Sequence, residues 1–168
     1  MSLLTRIMRL MVSAIIIVVI FNVALLPQLR PNSIYFEALG NGGLYSVNYD
    51  RLFTDNFGGR LGLMYLSEVD IFFVAAEDIL IFPATLNYFI GEKHKLELGA
   101  GVVFASVSNT RAFGFKSDSD GSNIVGTATI GYRYQKPDGG FLFRVGFTPL
   151  FGSEGIEPWG GISLGYSF

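Results

Sequence analysis

One feature constrains this chain more than any other. From Ser33 to Phe168 it alternates with period two, and one face of each segment is almost solidly apolar while the other is small and polar. Side chains on a strand point to opposite faces in turn, so residues i, i+2 and i+4 share a face. In the last segment, Trp159 to Phe168, the greasy face holds Ile162, Leu164, Tyr166 and Phe168, and the other holds Gly161, Ser163, Gly165 and Ser167. The first, Ser33 to Gly40, sets Ile34, Phe36 and Ala38 against Tyr35, Glu37 and Leu39; the second, Leu44 to Phe53, sets Tyr45, Val47 and Tyr49 against Ser46, Asn48 and Asp50. The third, Gly58 to Leu66, sets Leu61, Leu63 and Tyr65 against Arg60, Gly62 and Met64, and Ile79 to Ile90 sets Leu80, Phe82, Ala84, Leu86 and Tyr88 against Pro83, Thr85 and Asn87. Lys95 to Ala105, Ile124 to Gln135 and Phe141 to Thr148 repeat the pattern. The fold class predicted is all-β.

The connections between these segments set their number. Asn41-Gly42-Gly43 carries the strongest short hairpin signal, because both residues of Asn-Gly tolerate positive φ. Taken as a turn it gives eight strands, and taken as a bulge in one long strand it gives seven. The connections at 54–57, 91–94 and 136–140 are short, whereas 67–78 and 106–123 are long and 152–157 is intermediate. Short turns alternating with long loops, and an even count, fit an antiparallel up-and-down barrel that crosses a bilayer with both termini on one side.

Which face points inward follows from composition. Charged residues make up 15% of the chain, below the roughly 25% of soluble domains. The polar face is mostly Gly, Ser, Thr and Asn, too small and too weakly charged for a water-facing surface. Such residues suit the crowded interior of an eight-strand barrel, which is just wide enough for side chains to fill. Charges on that face balance, Glu37, Asp50 and Glu97 against Arg60, Arg133 and Arg144. Buried charges persist when paired, so these six predict an ionic plug and not a channel. Tyr45, Tyr65, Tyr88, Tyr132, Tyr134, Trp159 and Phe168 lie near strand ends, where interfacial aromatic girdles sit.

Ahead of the strands, Arg6 and Arg9 precede an apolar run from Leu10 to Leu26, followed by Pro27 and Arg30. That order is a secretory signal peptide. The expected division is 1–24 signal peptide, 25–32 lead-in and 33–168 barrel.

Other chemistries find little footing. A net charge of −2, with no basic cluster beyond Lys93-His94-Lys95, gives no electrostatic basis for nucleic acid binding. There is no cysteine for a disulfide, thiol or thiolate metal site. The sole histidine, His94, reads as a solvated turn residue, and the nearest serine downstream, Ser106, is at the opposite end of its strand, so no nucleophile–base pair forms. The run Ser117 to Asn123 lacks the distal Glu of a calcium loop. No catalytic, cofactor or metal residue is assigned. Phe72 and Phe73 in one long connection, and Arg111, Phe113 and Phe115 in the next, are candidate contacts for lipopolysaccharide or a partner.

Two resemblances follow. The segment Ile162, Leu164, Tyr166 and terminal Phe168 resembles the C-terminal signature that the barrel-assembly machinery of bacterial outer membranes reads, with Ser163 where that signature usually has Gly. Ser33-Ile34-Tyr35-Phe36-Glu37, Gly42 to Tyr49, Leu96 to Gly101 and Gly131 to Gln135 look like a family of small Bacteroidetes-type outer-membrane barrels without an assigned activity; the likeness to OmpA- or OmpX-like barrels is architectural. These imply an integral outer-membrane barrel with periplasmic termini, a side-chain-filled polar lumen and a structural, adhesive or partner-docking role. Its expected partners are membrane lipids, lipopolysaccharide, the assembly machinery and a larger outer-membrane complex. The alternatives are a lipid-modifying barrel enzyme and a soluble lipocalin-like binder of apolar ligands.

Overall fold

A computed structural model describes residues 32–71, 74–108, 110–112, 115–117, 121–153 and 155–168, with the backbone alone described at 68–71, 74–78, 107–108, 110–112, 115–117 and 121. The predicted signal peptide and lead-in therefore lie outside the described residues, apart from Asn32. In chain order the strands are β1 (Asn32–Leu39), β2 (Tyr45–Leu52), β3 (Phe57–Ile71), β4 (Val74–Ile90), β5 (His94–Ser108), β6 (Thr110–Ala112), β7 (Phe115–Ser117), β8 (Gly121–Gln135), β9 (Gly140–Phe147), β10 (Leu150–Gly152), β11 (Gly155–Glu157) and β12 (Gly160–Ser167).

Eight of these form a ring in the order β1-β2-β3-β4-β5-β8-β9-β12, and β12 pairs back with β1, every pairing antiparallel. The result is a closed eight-stranded up-and-down barrel. Closure removes the unpaired edges that an open sheet would expose. The seam runs from Ser33 opposite Ser167 to Leu39 opposite Gly161. It is finished by mutual backbone bonds between Asn32 and Phe168, each N–H donating to the other's carbonyl at 2.8 Å. Asn41-Gly42-Gly43 is a turn and not a bulge: Leu39 N–H donates to Leu44 O at 2.8 Å, and Gly40 and Gly43 have φ of 84° and 88°, which glycine adopts without a Cβ clash.

The walls are unequal in height. β1 and β2 have 8 residues each, whereas β3, β5 and β8 have 15 and β4 has 17; β9 and β12 have 8 each but are prolonged by β10 and β11. Seven extra residues raise one side by roughly 20 Å at about 3.3 Å per residue, less the strand tilt. This corrects the expected long loops. The connection at 67–78 is mostly β3 and β4, and β5 and β8 extend into 106–123, where β6 and β7 form a small hairpin. Glu68, Asp70, Glu77 and Asp78 are the reason: acidic residues suggest a loop, although alternation continues through Val69, Ile71, Val74 and Ala76.

Proline explains a second discrepancy. β10 continues β9 and β11 continues β12 in unchanged registers, since Leu150 faces Glu157 in line with Phe147 facing Gly160. Likewise Leu150 faces Thr127 in line with Phe147 facing Ile130. The ladder is interrupted only at Pro149 and Pro158, which have no N–H to donate. Residues 152–157 are thus the tip of one long hairpin.

The faces follow the alternation. Ile34, Phe36, Val47, Leu86, Ile130, Phe141, Ile162, Leu164, Tyr166 and Phe168 are exposed on the outside. One exception is Leu39, predicted to share a face with Tyr35 and Glu37. It is 46% exposed with φ of 60°, and that left-handed turn rotates its side chain out of the strand's parity.

Candidate functional site

Inside the ring the small residues have a purpose that sequence parity alone does not reveal. A Cβ on Gly62 would collide with the Asn48 amide, one on Gly99 with the Asn87 amide, and one on Gly165 with Tyr35. Each glycine leaves room for a larger side chain on the neighbouring strand to lie across it.

All six charged residues named from the sequence point into this space and all are buried, Arg133 and Asp50 completely. They form one chain of alternating sign. Arg60 Nη2 donates to Glu37 Oε2, and Glu37 Oε1 accepts from Arg144 Nη1 at 3.1 Å. Arg144 then grips Glu97 with two parallel bonds, Nε to Oε2 and Nη2 to Oε1, both 2.8 Å. Glu97 Oε2 lies 3.9 Å from Arg133 Nη1, which bonds Asp50 Oδ2 at 2.8 Å while Nη2 reaches Oδ1 at 3.3 Å. The planar fork of arginine suits this bidentate geometry, and lysine could not reproduce it. Asn48 accepts from Arg60 Nε at 2.9 Å and ties the chain to β2.

Ser163 explains its own departure from glycine. Its hydroxyl accepts from Arg144 Nη1 at 3.2 Å and donates to Glu37 Oε1 at 3.4 Å. A glycine there would take one partner from each of two neighbours in the ladder, Arg144 and Glu37.

Several members of the site escaped the sequence reading. Tyr35 lies between two guanidinium groups, Arg60 at 5.6 Å and Arg144 at 5.1 Å from its ring centroid. Phe89 lies between Arg133 at 4.8 Å and the buried Lys95 at 5.6 Å. Cation–π attraction of this kind strengthens as water is removed. Parity already put Tyr35 on the same face as Glu37; its meaning was missed because attention fell on charges. Towards the terminal end, Gln135 Nε2 donates to Ser33 Oγ and Ser167 Oγ, both at 3.0 Å, and the two hydroxyls are 2.8 Å apart across the seam.

At the other end the lumen is not polar. Met64, Ile79, Ile81, Val103, Ala105 and Leu150 form a buried apolar cluster, with Leu44, Tyr45, Leu66 and Val125 packed against it. Buried polar side chains thus occupy the lower part of the lumen, and hydrocarbon caps it above. Met64, grouped with the polar face, belongs to that cap.

Of the remaining named residues, Phe72, Phe73 and Phe113 lie outside the described residues. Arg111 and Phe115 fall on β6 and β7, with Arg111 opposite Ala75 of β4, and their side chains also lie outside what is described. His94 is the first residue of β5 and not a turn residue. Among the described residues no group of three or more His, Asp or Glu could hold a metal ion.

An apolar exterior around a polar, ion-paired interior is the reverse of a soluble barrel, and together with eight tilted antiparallel strands it defines the outer-membrane β-barrel fold. Solved structures agree. The chain is similar to the N-terminal β-barrel domain of Pseudomonas aeruginosa OprF, at 20% identity and a TM-score of 0.58 over 83% of this chain and 99% of that one. It is also similar to the Yersinia pestis outer membrane protein Ail in a phospholipid bilayer nanodisc, at 13% identity and a TM-score of 0.51 over 83% and 99%. No protein-family model and no curated protein matches the chain.

Proposed function

We propose that the protein is a non-enzymatic integral barrel of the bacterial outer membrane that conducts no ions and acts through the rim opposite its termini. The observation that carries this reading is the inverted polarity: Leu86, Ile130, Phe141, Leu164 and Tyr166 face outward while three arginines and three carboxylates are sealed inside. Water would be a poor solvent for that exterior, which disfavours the lipocalin-like alternative. Among the described residues the hydroxyl bonded to His94 is the phenol of Tyr132 and not a serine, which gives a lipid-modifying enzyme no support. Periplasmic termini, an N-terminal export signal cut near Ala24 and kinship with small Bacteroidetes-type barrels belong to the same proposal.

The rim itself supports a docking role. β2 begins at Tyr45 and covers β3 only as far as Leu63, and β1 stops at Leu39 below β11. Two strand positions are thus empty between the edges of β11 and upper β3, a notch about 14 Å across at about 4.8 Å per strand. Among the described residues no strand pairs with those two edges. Edges of this kind accept an added strand from a partner.

Outer-membrane fractionation and heat-modifiable gel migration test the location, and planar bilayer recording tests the seal. The wild type is expected to show no large stable conductance, and Arg133→Ala to unfold at lower temperature in detergent without becoming conductive. A large steady conductance from the wild type would overturn the ionic plug. Deleting Phe168 is expected to reduce the amount assembled in the membrane more than the unfolding temperature of what does assemble; normal membrane levels of the truncated chain would remove its role as assembly signal.

A further inference from the structure

The rim that carries the termini holds a cluster that none of this uses. His94 opens β5 opposite Tyr134 of β8, on the outer face with Leu96 and Leu98. Its ring is 5.3 Å from that of Tyr134, and its Nδ1 is 2.7 Å from the Tyr132 hydroxyl. The aromatic row continues sideways, Tyr134 to Phe141 at 6.4 Å and Tyr132 to Phe143 at 6.3 Å. When the phenol donates to Nδ1, the ring proton lies on Nε2, directed away from Tyr132 on an exposed side chain. Gln135 N–H donates to Lys93 O at 2.9 Å, so the turn before β5 lies against the end of β8, where Lys136 follows. Lys93 and Lys136 are exposed, and so are the two acids on the same turns, Glu92 and Asp138.

We infer that His94, Lys93 and Lys136, with Glu92 and Asp138 beside them, form a binding site for the phosphate–ammonium headgroup of a zwitterionic ethanolamine phospholipid. This rests on the membrane reading above. Three features support it. The cluster sits where the apolar outer face ends, which is the depth of headgroups beside an aromatic belt. His94 Nε2–H and two ammonium groups offer donors to a phosphate, and the carboxylates next to them suit the amine that such a headgroup carries. Tyr134 and Phe141 give the adjoining glycerol and acyl region an apolar wall. Tyr132 is a positioning residue: with its phenol donating to Nδ1 it holds the ring proton on Nε2.

The test uses the whole barrel in detergent micelles, titrated with dilauroyl phosphatidylethanolamine and followed by native mass spectrometry, with dilauroyl phosphatidylglycerol and inorganic phosphate as separate arms. His94→Leu is expected to weaken ethanolamine-lipid binding about tenfold, and Tyr132→Phe about threefold. Glu92→Gln with Asp138→Asn is expected to remove the preference for ethanolamine over glycerol headgroups. Equal binding by wild type and His94→Leu would overturn the site. Equal binding of both lipids by the wild type would overturn the zwitterionic class, and displacement of lipid by millimolar phosphate would make it a free-phosphate site instead. Heat-modifiable migration and vesicle insertion are read on the same samples: loss of insertion in the wild type counts against the membrane reading, whereas intact insertion with unchanged lipid binding in His94→Leu counts against this site alone.

Discussion

Arg144→Met is expected to lower the unfolding free energy of the barrel by about 3–5 kcal/mol, the loss seen when one partner of a buried ion pair is removed. Arg144 is the middle of the ladder, bonded to Glu97 twice and to Glu37 and Ser163 once each. Without it Glu97 keeps only the 3.9 Å approach of Arg133, and Glu37 keeps Arg60. The measurement is the urea midpoint at which the compact gel band converts to the unfolded one. A second variant separates the causes: Arg144→Met with Glu97→Gln removes the stranded charge along with its partner. The double variant is expected to regain a substantial part of the loss. If both variants unfold at the wild-type midpoint, the ladder contributes nothing to stability and the plug is merely space-filling.

Gly165→Val is the second large effect. A Cβ at this position would overlap the Ile34 carbonyl oxygen and Cα and Cβ of Tyr35 on the strand across the seam. Backbone cannot step aside as a flexible side chain can, so the change is expected to exceed the about 1–3 kcal/mol typical of overpacking and to deplete the closed barrel itself. Gly152→Val is the control, because a Cβ there meets nothing nearer than Val125 Cγ1 at 3.9 Å. Refolding yields into detergent are expected to collapse for the first and hold for the second. Equal yields would mean that the seam is not closely packed at Gly165.

Much of the fold was legible because a barrel imposes one rule on every strand. Alternation alone assigned Glu37, Asp50, Arg60, Glu97, Arg133 and Arg144 to a common face, and the structure brings them within bonding distance of one another. Parity says nothing about height, however, and height is what orders the ladder. Strand tilt and stagger decide that Arg144 of β9 meets Glu97 of β5, across the intervening β8, and not a neighbour in the sequence. The apolar cap was hidden for the same reason: Met64, Ile81 and Val103 look like strays on a polar face until stagger stacks them at one level. Acidic residues near 68–78 disguised strand as loop, and Pro149 and Pro158 disguised a continuous hairpin as two strands and a connection. The surroundings of His94 were invisible because they are made by Tyr132 and Tyr134, distant in sequence and adjacent only through the β5–β8 pairing.

The seam also governs the order in which the molecule can be made. Within the eight-strand ring every pairing but one joins strands that follow one another in the ring's chain order, and each of these can form as a local hairpin soon after its residues are available. The exception is β12 on β1, where Ser33 meets Ser167 across 134 positions. Loop closure of that length comes late, because non-local contacts return nothing until the whole intervening chain is in place. Until then the sheet is open, with β1 and β12 both presenting unpaired backbone and with the bonding partners of Glu37 still scattered along the chain. The last pairing therefore zips the wall and completes the ion ladder in one step, since Ser163 of β12 arrives between Glu37 and Arg144 as β12 arrives beside β1.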